Sequence, residues 1–167
     1  MHDPLRLNVG FLLQQGVGFS RNFDFDIPQL TIDDLLVTSF FGSINFTRTT
    51  QGLYAKGRLK ANTRLQCVRC LEAYDQELTA EVEELFVHQP SKTSDPQLVV
   101  PATGILDLNP IVREFFLLAL PLRPLCRPDC KALCPICGSN LNHTACDHTE
   151  ADIDPRFAVL KSLLADQ

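Results

Sequence analysis

The stretch LYAKGRLKANTRLQCVRCLEAYDQELTAEVEELFVH, residues 53–88, decides the fold. Ahead of its two cysteines, the even positions Tyr54, Lys56, Arg58, Lys60, Asn62 and Arg64 are polar or amphipathic. The odd positions Leu53, Ala55, Gly57, Leu59, Ala61 and Leu65 are apolar or small. A period of two is the signature of a half-buried strand. Beyond Cys70 the pattern resumes, with Glu77, Glu81 and Glu83 alternating against Leu78, Ala80 and Val82. Folding the chain about Val68–Arg69 sets Lys60 against Glu77, Lys56 against Glu81, Leu59 against Leu78 and Ala55 against Val82. One register satisfies both faces, so a hairpin is expected over 52–88 with Cys67-Val68-Arg69-Cys70 at its tip.

Upstream, residues 5–50 read as β-rich. Leu5, Leu7, Val9 and Phe11 alternate with polar or small residues. Phe19, Phe23 and Phe25 follow among Gly and Asn breakers, and Phe40, Phe41, Ile44 and Phe46 carry a third apolar stretch. A helix over Asp33 to Phe41 is the alternative for part of that segment. Downstream, 89–106 is a loop rich in Pro, Ser and Thr. A helix is expected over 109–120, with Asn109 as cap, Pro110 in the first turn and Ile111 to Leu120 supplying the apolar face. A last helix begins at Asp154-Pro155, with Phe157, Leu160 and Leu164 on one face. These elements predict an α+β fold: a mostly antiparallel sheet that can be barrel-like, with two helices and a zinc-stapled C-terminal loop unit. The expected division is a β-rich domain over 1–122 and a cysteine-rich, zinc-ribbon-like unit with its helix over 123–167.

At 167 residues, 45% hydrophobic and 21% charged, the chain has the balance of a globular protein able to bury a core without disulfides. Apolar runs such as Phe115 to Leu120 are too short to span a bilayer, and no membrane partner is expected. The start, MHDPLRLNVGFLL, has no basic region before a sustained apolar stretch, so no signal peptide is expected. The net charge of −5 excludes a globally basic polyanion binder but not a local basic face.

Seven cysteines is an odd number, tightly spaced, and this favours metal in a reducing compartment over a disulfide scaffold. The pairs are Cys67-x2-Cys70, Cys126-x3-Cys130 and Cys134-x2-Cys137, followed by Cys146 and His148. Two thiolates in one tight turn can reach a single tetrahedral ion at about 2.3 Å. With His148 the ligands number eight, which divides into two sets of four. One set, Cys67, Cys70, Cys126 and Cys130, would clamp the hairpin tip to the loop after the helix. The other, Cys134, Cys137, Cys146 and His148, would form a local ribbon. The rival grouping puts Cys126, Cys130, Cys134 and Cys137 on one ion and leaves the first pair unpartnered. His143 competes with His148, which the tighter Cys-x-His spacing favours. Neither a thioredoxin-like helix behind Cys67 nor a free Glu beside the cluster is evident, so zinc in a structural role is expected and an enzyme is not.

Between Asp34 and Glu72 lie 37 residues without an acid, holding Arg48, Lys56, Arg58, Lys60, Arg64 and Arg69. In the register above, Glu81 and Glu77 screen Lys56 and Lys60, while Arg58 faces Thr79 and Arg64 faces Ala73. Tyr54, Arg58 and Arg64 are therefore candidates for RNA contact on the even face. A solvated, salt-bridged face is the alternative.

The segments LQCVRCLEAY (65–74), LPLRPLCRPDCKALCPICGSNLN (120–142) and IDPRFAVLKSLL (153–164) occur in an order that resembles the YceD family of large ribosomal RNA subunit accumulation proteins. Residues 1–50 carry little of this resemblance. The resemblance implies a cytoplasmic non-enzyme that supports processing or accumulation of large-subunit (23S) ribosomal RNA. Its partners would be precursor ribosomal RNA or a pre-ribosomal particle, with ribosomal or assembly proteins. The competing reading is a zinc-stabilised protein–protein adapter without RNA contact. Family members with the full cysteine set often end the cluster in Cys-x-Cys, where this chain has His148.

Overall fold

A computed structural model describes residues 3–88 and 95–148. The elements run β1 (Arg6–Asn8), α1 (Gly10–Leu13), β2 (Ser20–Ile32), β3 (Leu35–Arg48), β4 (Gly52–Gln66) and β5 (Ala73–Val87). A 3-10 turn (Pro96–Leu98), β6 (Ile105–Asp107) and α2 (Asn109–Ala119) follow. The four long strands form an antiparallel meander in the order β2-β3-β4-β5, and β1 pairs with β6 in a separate small ribbon.

The sheet does not close into a barrel: β2 and β5 remain its two edges. It curls so that both edges reach α2. Ile111, Val112 and Phe116 are the buried face of that helix. Phe116 packs edge-on against Phe40 at 5.9 Å, and Phe40 against Phe25 at 5.7 Å, so one aromatic chain links helix and sheet. Outside the core, Arg113 grips Asp34 at the β2–β3 turn with two hydrogen bonds, Nε to Oδ1 at 2.6 Å and Nη2 to Oδ2 at 3.1 Å.

The adjacent phenylalanines Phe40 and Phe41 show how the curl is made. An extra residue in β3 sits between the pairs Thr38↔Asn62 and Phe41↔Lys60. At this bulge Ser39 takes a φ of 50°, so Phe40 is fully buried while Phe41 faces water. Gly42 follows with a φ of 143°, and a Cβ there would lie 2.2 Å from the Arg58 carbonyl oxygen.

Several expectations are corrected. Residues 5–11 are not one strand: after β1, Val9 and Gly10 both donate to the Gly104 carbonyl, at 2.8 and 3.0 Å, and the chain turns into α1. Leu5, Val9 and Leu12 are the buried residues there. The segment 33–41 is strand, not helix, beyond a turn at Asp33 and Asp34. Part of the expected loop 89–106 is ordered as the 3-10 turn and the start of β6. Asn109 is the first helical residue and not the cap. Its amide donates to Asp107 Oδ1 at 2.9 Å, and its side chain ties to Asp3 and Asp107. The helix expected from Asp154 lies outside the described residues, whose helices are α1 and α2.

The hairpin β4–β5 exists, and its register differs from the expected one by two residues. Lys60 stands opposite Thr79, Arg58 opposite Glu81, Arg64 opposite Asp75 and Gln66 opposite Ala73. A slip of two leaves every side chain on its original face, so alternation alone could not separate the two registers. The tip decides. Its loop spans Cys67 to Glu72 and not merely the residues between the cysteines, with Cys67 N donating to Glu72 O at 2.9 Å.

Candidate metal centres

The local chemistry of each cysteine pair begins in the backbone. In Cys67-Val68-Arg69-Cys70-Leu71-Glu72, Leu71 N donates to Cys67 O at 2.9 Å and Cys67 N to Glu72 O at 2.9 Å. In Cys134-Pro135-Ile136-Cys137-Gly138-Ser139, Gly138 N donates to Cys134 O at 2.9 Å and Cys134 N to Ser139 O at 2.8 Å. The two turns are the same knuckle. The residue after the second cysteine has positive φ in both, 60° at Leu71 and 73° at Gly138.

Loop 120–134 folds onto the first knuckle through backbone bonds. Val68 N donates to Pro124 O at 2.9 Å, and Leu133 N to Arg69 O at 3.2 Å. These bonds carry Cys126 and Cys130 to the hairpin tip. Cys67 Sγ lies 3.8 Å from Cys130 Sγ, and Cys70 Sγ 3.6 Å from Cys126 Sγ. Four sulfurs bound at about 2.3 Å to one tetrahedral ion stand about 3.8 Å apart, so the spacing fits such an ion. Cys67, Cys70 and Cys130 are buried in a small second core with Tyr74 and Leu125 against them.

The second group forms within one loop. The ligand atoms of Cys134, Cys137, Cys146 and His148 lie within 4.8 Å of one another, as do those of the first group. Cys134 Sγ is 3.9 Å from His148 Nδ1. Cys134 is buried, whereas Cys137 and His148 are exposed. Both sets are the two-by-four division expected from the sequence, and each could hold a metal ion. The rival grouping of Cys126, Cys130, Cys134 and Cys137 is not formed. His143 is in neither set: its Nε2 lies 2.7 Å from Glu72 Oε1, where it links the C-terminal loop to the hairpin tip.

Electrostatics within the sets suits a cation. Burial opposes ionisation of Cys67, but backbone amides of Cys126, Cys70 and Arg69 turned toward its sulfur bring it down to about 6. The Asn142 side chain and the Ala132 amide lower Cys130. Burial and the neighbouring Cys70 and Cys67 sulfurs push Cys126 up to about 12. The second set repeats this. Amides of Cys137 and Ile136 bring Cys134 to about 7, the Ser139 hydroxyl and amide lower Cys137, and Cys134 raises Cys146. Some thiols in each set ionise readily, and their charge then holds protons on the others. A divalent ion removes that repulsion and lets all of them ionise.

Asn142 was not foreseen. Its Nδ2 lies 3.4 Å from Cys130 Sγ, and its Oδ1 accepts from Lys131 N at 2.9 Å, so it orients a ligand from the side. A polar residue with no cysteine spacing carries no signal of that role in the sequence.

Tyr54, Arg58 and Arg64 share the outer face of the sheet, as alternation required, but the shifted register changes their company. Arg58 pairs with Glu81, and Tyr54 donates its hydroxyl proton to Glu83. Arg64 lies 3.6 Å from Asp75, and Lys56 and Lys60 lie 3.5 Å from Glu83 and Glu77. The premise that Arg58 and Arg64 lack acidic partners is thereby corrected. All four cations of the stripe have a carboxylate beside them, with most of these side chains well exposed.

No helix among the described residues is long and apolar enough to cross a membrane. The family model described as large ribosomal RNA subunit accumulation protein YceD matches residues 55–164. An uncharacterized protein of Mycobacterium tuberculosis is 34% identical over 121 residues, covering 69% of this chain and 57% of its own length. One of Mycobacterium leprae is 30% identical over 120 residues, covering 70% and 55%. The maize chloroplastic large ribosomal RNA subunit accumulation protein YCED homolog 1 is 25% identical over 134 residues, covering 62% of this chain and 46% of its own. The chain thus spans about half the length of the curated relatives it matches. No solved structure matches it.

Proposed function

The chain belongs to the YceD family of large ribosomal RNA subunit accumulation proteins, and from that premise we propose that it is a cytoplasmic ribosome-biogenesis factor. It supports accumulation of 23S ribosomal RNA by binding the precursor RNA or an assembly intermediate. The observation that carries this reading is the match over 55–164, which takes in the hairpin from Ala55 onward, α2 and all eight ligands of the two sets. The resident metal in this proposal is zinc. Sets of four thiolates, or of three thiolates and an imidazole, in knuckle turns are its preferred company, and it needs no particular geometry from d electrons. The role is non-catalytic: four protein ligands per ion leave no open position for a water or substrate.

The test is sedimentation of a cell lysate followed by crosslinking. The protein should travel with large-subunit precursor particles and crosslink to 23S precursor RNA, and its depletion should lower mature 23S relative to 16S RNA. Sedimentation only at the top of the gradient, with unchanged RNA ratios, would overturn the proposal. A second reading, a zinc-stabilised adapter that meets protein and not RNA, draws support from the ion-paired sheet face. Under it the crosslinks would be to ribosomal or assembly proteins alone.

A further inference from the structure

Among the described residues Arg6, Arg21, Arg48, Arg69, Arg123 and Lys131 form no ion pair, and the last three lie on the loops at one end of the β4–β5 hairpin. Arg69, Arg123 and Lys131 are exposed. Arg127 has only a long contact of 3.7 Å to its near neighbour Asp129, itself exposed. All four lie on the two loops that the first ligand set draws together. Arg69 is between Cys67 and Cys70, Arg127 follows Cys126, Lys131 follows Cys130, and Arg123 precedes Pro124, whose carbonyl accepts from Val68 N. Beside Arg69 and Arg123 in the chain, Val68 at 55% and Leu122 at 100% exposure are uncovered apolar side chains.

We infer that this metal-stapled hairpin tip is the surface that meets ribosomal RNA, with the four cations on backbone phosphates and Val68 and Leu122 against unstacked bases. The inference rests on the biogenesis reading and gives it a site. Polyanion binding is driven by release of counterions from phosphates, and this requires cations that are not already neutralised. The sheet stripe fails that condition and the tip meets it. Guanidinium groups match phosphate oxygens in pairs, and apolar surface beside them suits single-stranded RNA, whose base faces are open. The staple holds the two loops in a fixed relation, so the cations need little ordering on binding.

The test uses the full zinc-loaded chain and a transcript of precursor 23S RNA, with binding followed from 50 to 300 mM salt. Changing Arg69, Arg123, Arg127 and Lys131 together to Gln should weaken binding at least tenfold at 100 mM salt. It should also flatten the slope of log affinity against log salt by about 2 to 3, at roughly 0.7 per phosphate lost. Native mass spectrometry should still count both metals. The Arg58→Gln/Arg64→Gln variant should change affinity less than twofold. If the quadruple variant sheds metal, Arg123→Glu carries the test, with an expected loss of about threefold or more in affinity, since it reverses one exposed charge outside the ligand turns. Parental binding by the tip variants overturns the inference. So does a larger loss in the sheet variant, or a loss confined to protein crosslinks. If the parent binds no transcript yet sediments with precursor particles, the RNA surface falls and the biogenesis role stands; if it does neither, both fall.

Discussion

Leu71 and Gly138 hold the same place in two copies of one knuckle, and only one of them suits it. An L-residue with a side chain loses about 1–2 kcal/mol in the left-handed region, and glycine does not. Leu71 spends that energy while its side chain remains 54% exposed. Leu71→Gly is therefore expected to raise stability by up to about 1 kcal/mol in urea melts, after the entropy glycine adds to the unfolded chain. Gly138→Val should lower it by about 1–2 kcal/mol through backbone strain alone, because nothing lies within 4 Å of a Cβ at that position. An equal response at both sites would mean the turns are not alike. The repeat was legible in the two Cys-x2-Cys strings, but the strain at Leu71 was not, because φ depends on how the chain closes around the sulfurs.

At the scale of elements, the hairpin and the helix each carry a prediction. With Arg58 opposite Glu81, a double-mutant cycle on that pair should give a coupling of about 0.2–1 kcal/mol, and a cycle on Arg58 and Thr79 should give none. The reverse would restore the register centred on Val68–Arg69. Helix α2 is held to the β2–β3 turn by Arg113, whose hydrogen bond to Asp34 holds that carboxyl below its ordinary value of 3.8. A depressed carboxyl stabilises the fold above its unfolded pKa, and the stabilisation is lost as pH falls through the folded value. The stability difference between parent and Arg113→Gln should accordingly be full above about pH 5 and shrink below 3.8. The Asp34 carboxyl titration, followed by NMR, should return toward 3.8 in the variant. A titration that Arg113→Gln leaves in place would show that another group sets it.

Over the whole molecule there are two cores, and the first metal set belongs to the smaller one. The sheet, α1 and α2 share one cluster, while Cys67, Cys70 and Cys130 share another with Tyr74, Leu125 and Cys126. Cys67→Ser should therefore lower the metal count from two to one and leave the sheet folded. Hydrogen exchange should then quicken at the Val68 and Leu133 amides, which bridge the two loops, and remain slow in residues 40–46 of β3. Loss of both metals, or of none, would count against separate sets. A chelator should empty the second set first, because its ligands come from one 15-residue loop and two of the four are exposed. Three of the first set's four ligands are buried, and it joins segments 56 and 63 residues apart in sequence. Simultaneous release would mean the sets are coupled.

The sequence by itself determined the hairpin and which of its faces is buried, and it offered the division of seven cysteines and His148 into two sets beside a rival grouping that only the folded loops set aside. Those features rest on periodicity and ligand count, which are local or arithmetical. It also carried the family, through motifs whose order is linear. Tertiary structure decided the rest. The two-residue register was open because strand alternation repeats every two residues, and the six-residue knuckle settled it. That shift moved acids beside Arg58 and Arg64, so the stripe that alternation marked as basic is ion-paired while Arg69, Arg123 and Lys131 on the loops of the tip are not. The sheet is open and α2, from a distant part of the chain, packs against both of its edge strands, and packing between remote segments leaves no periodic mark in either one.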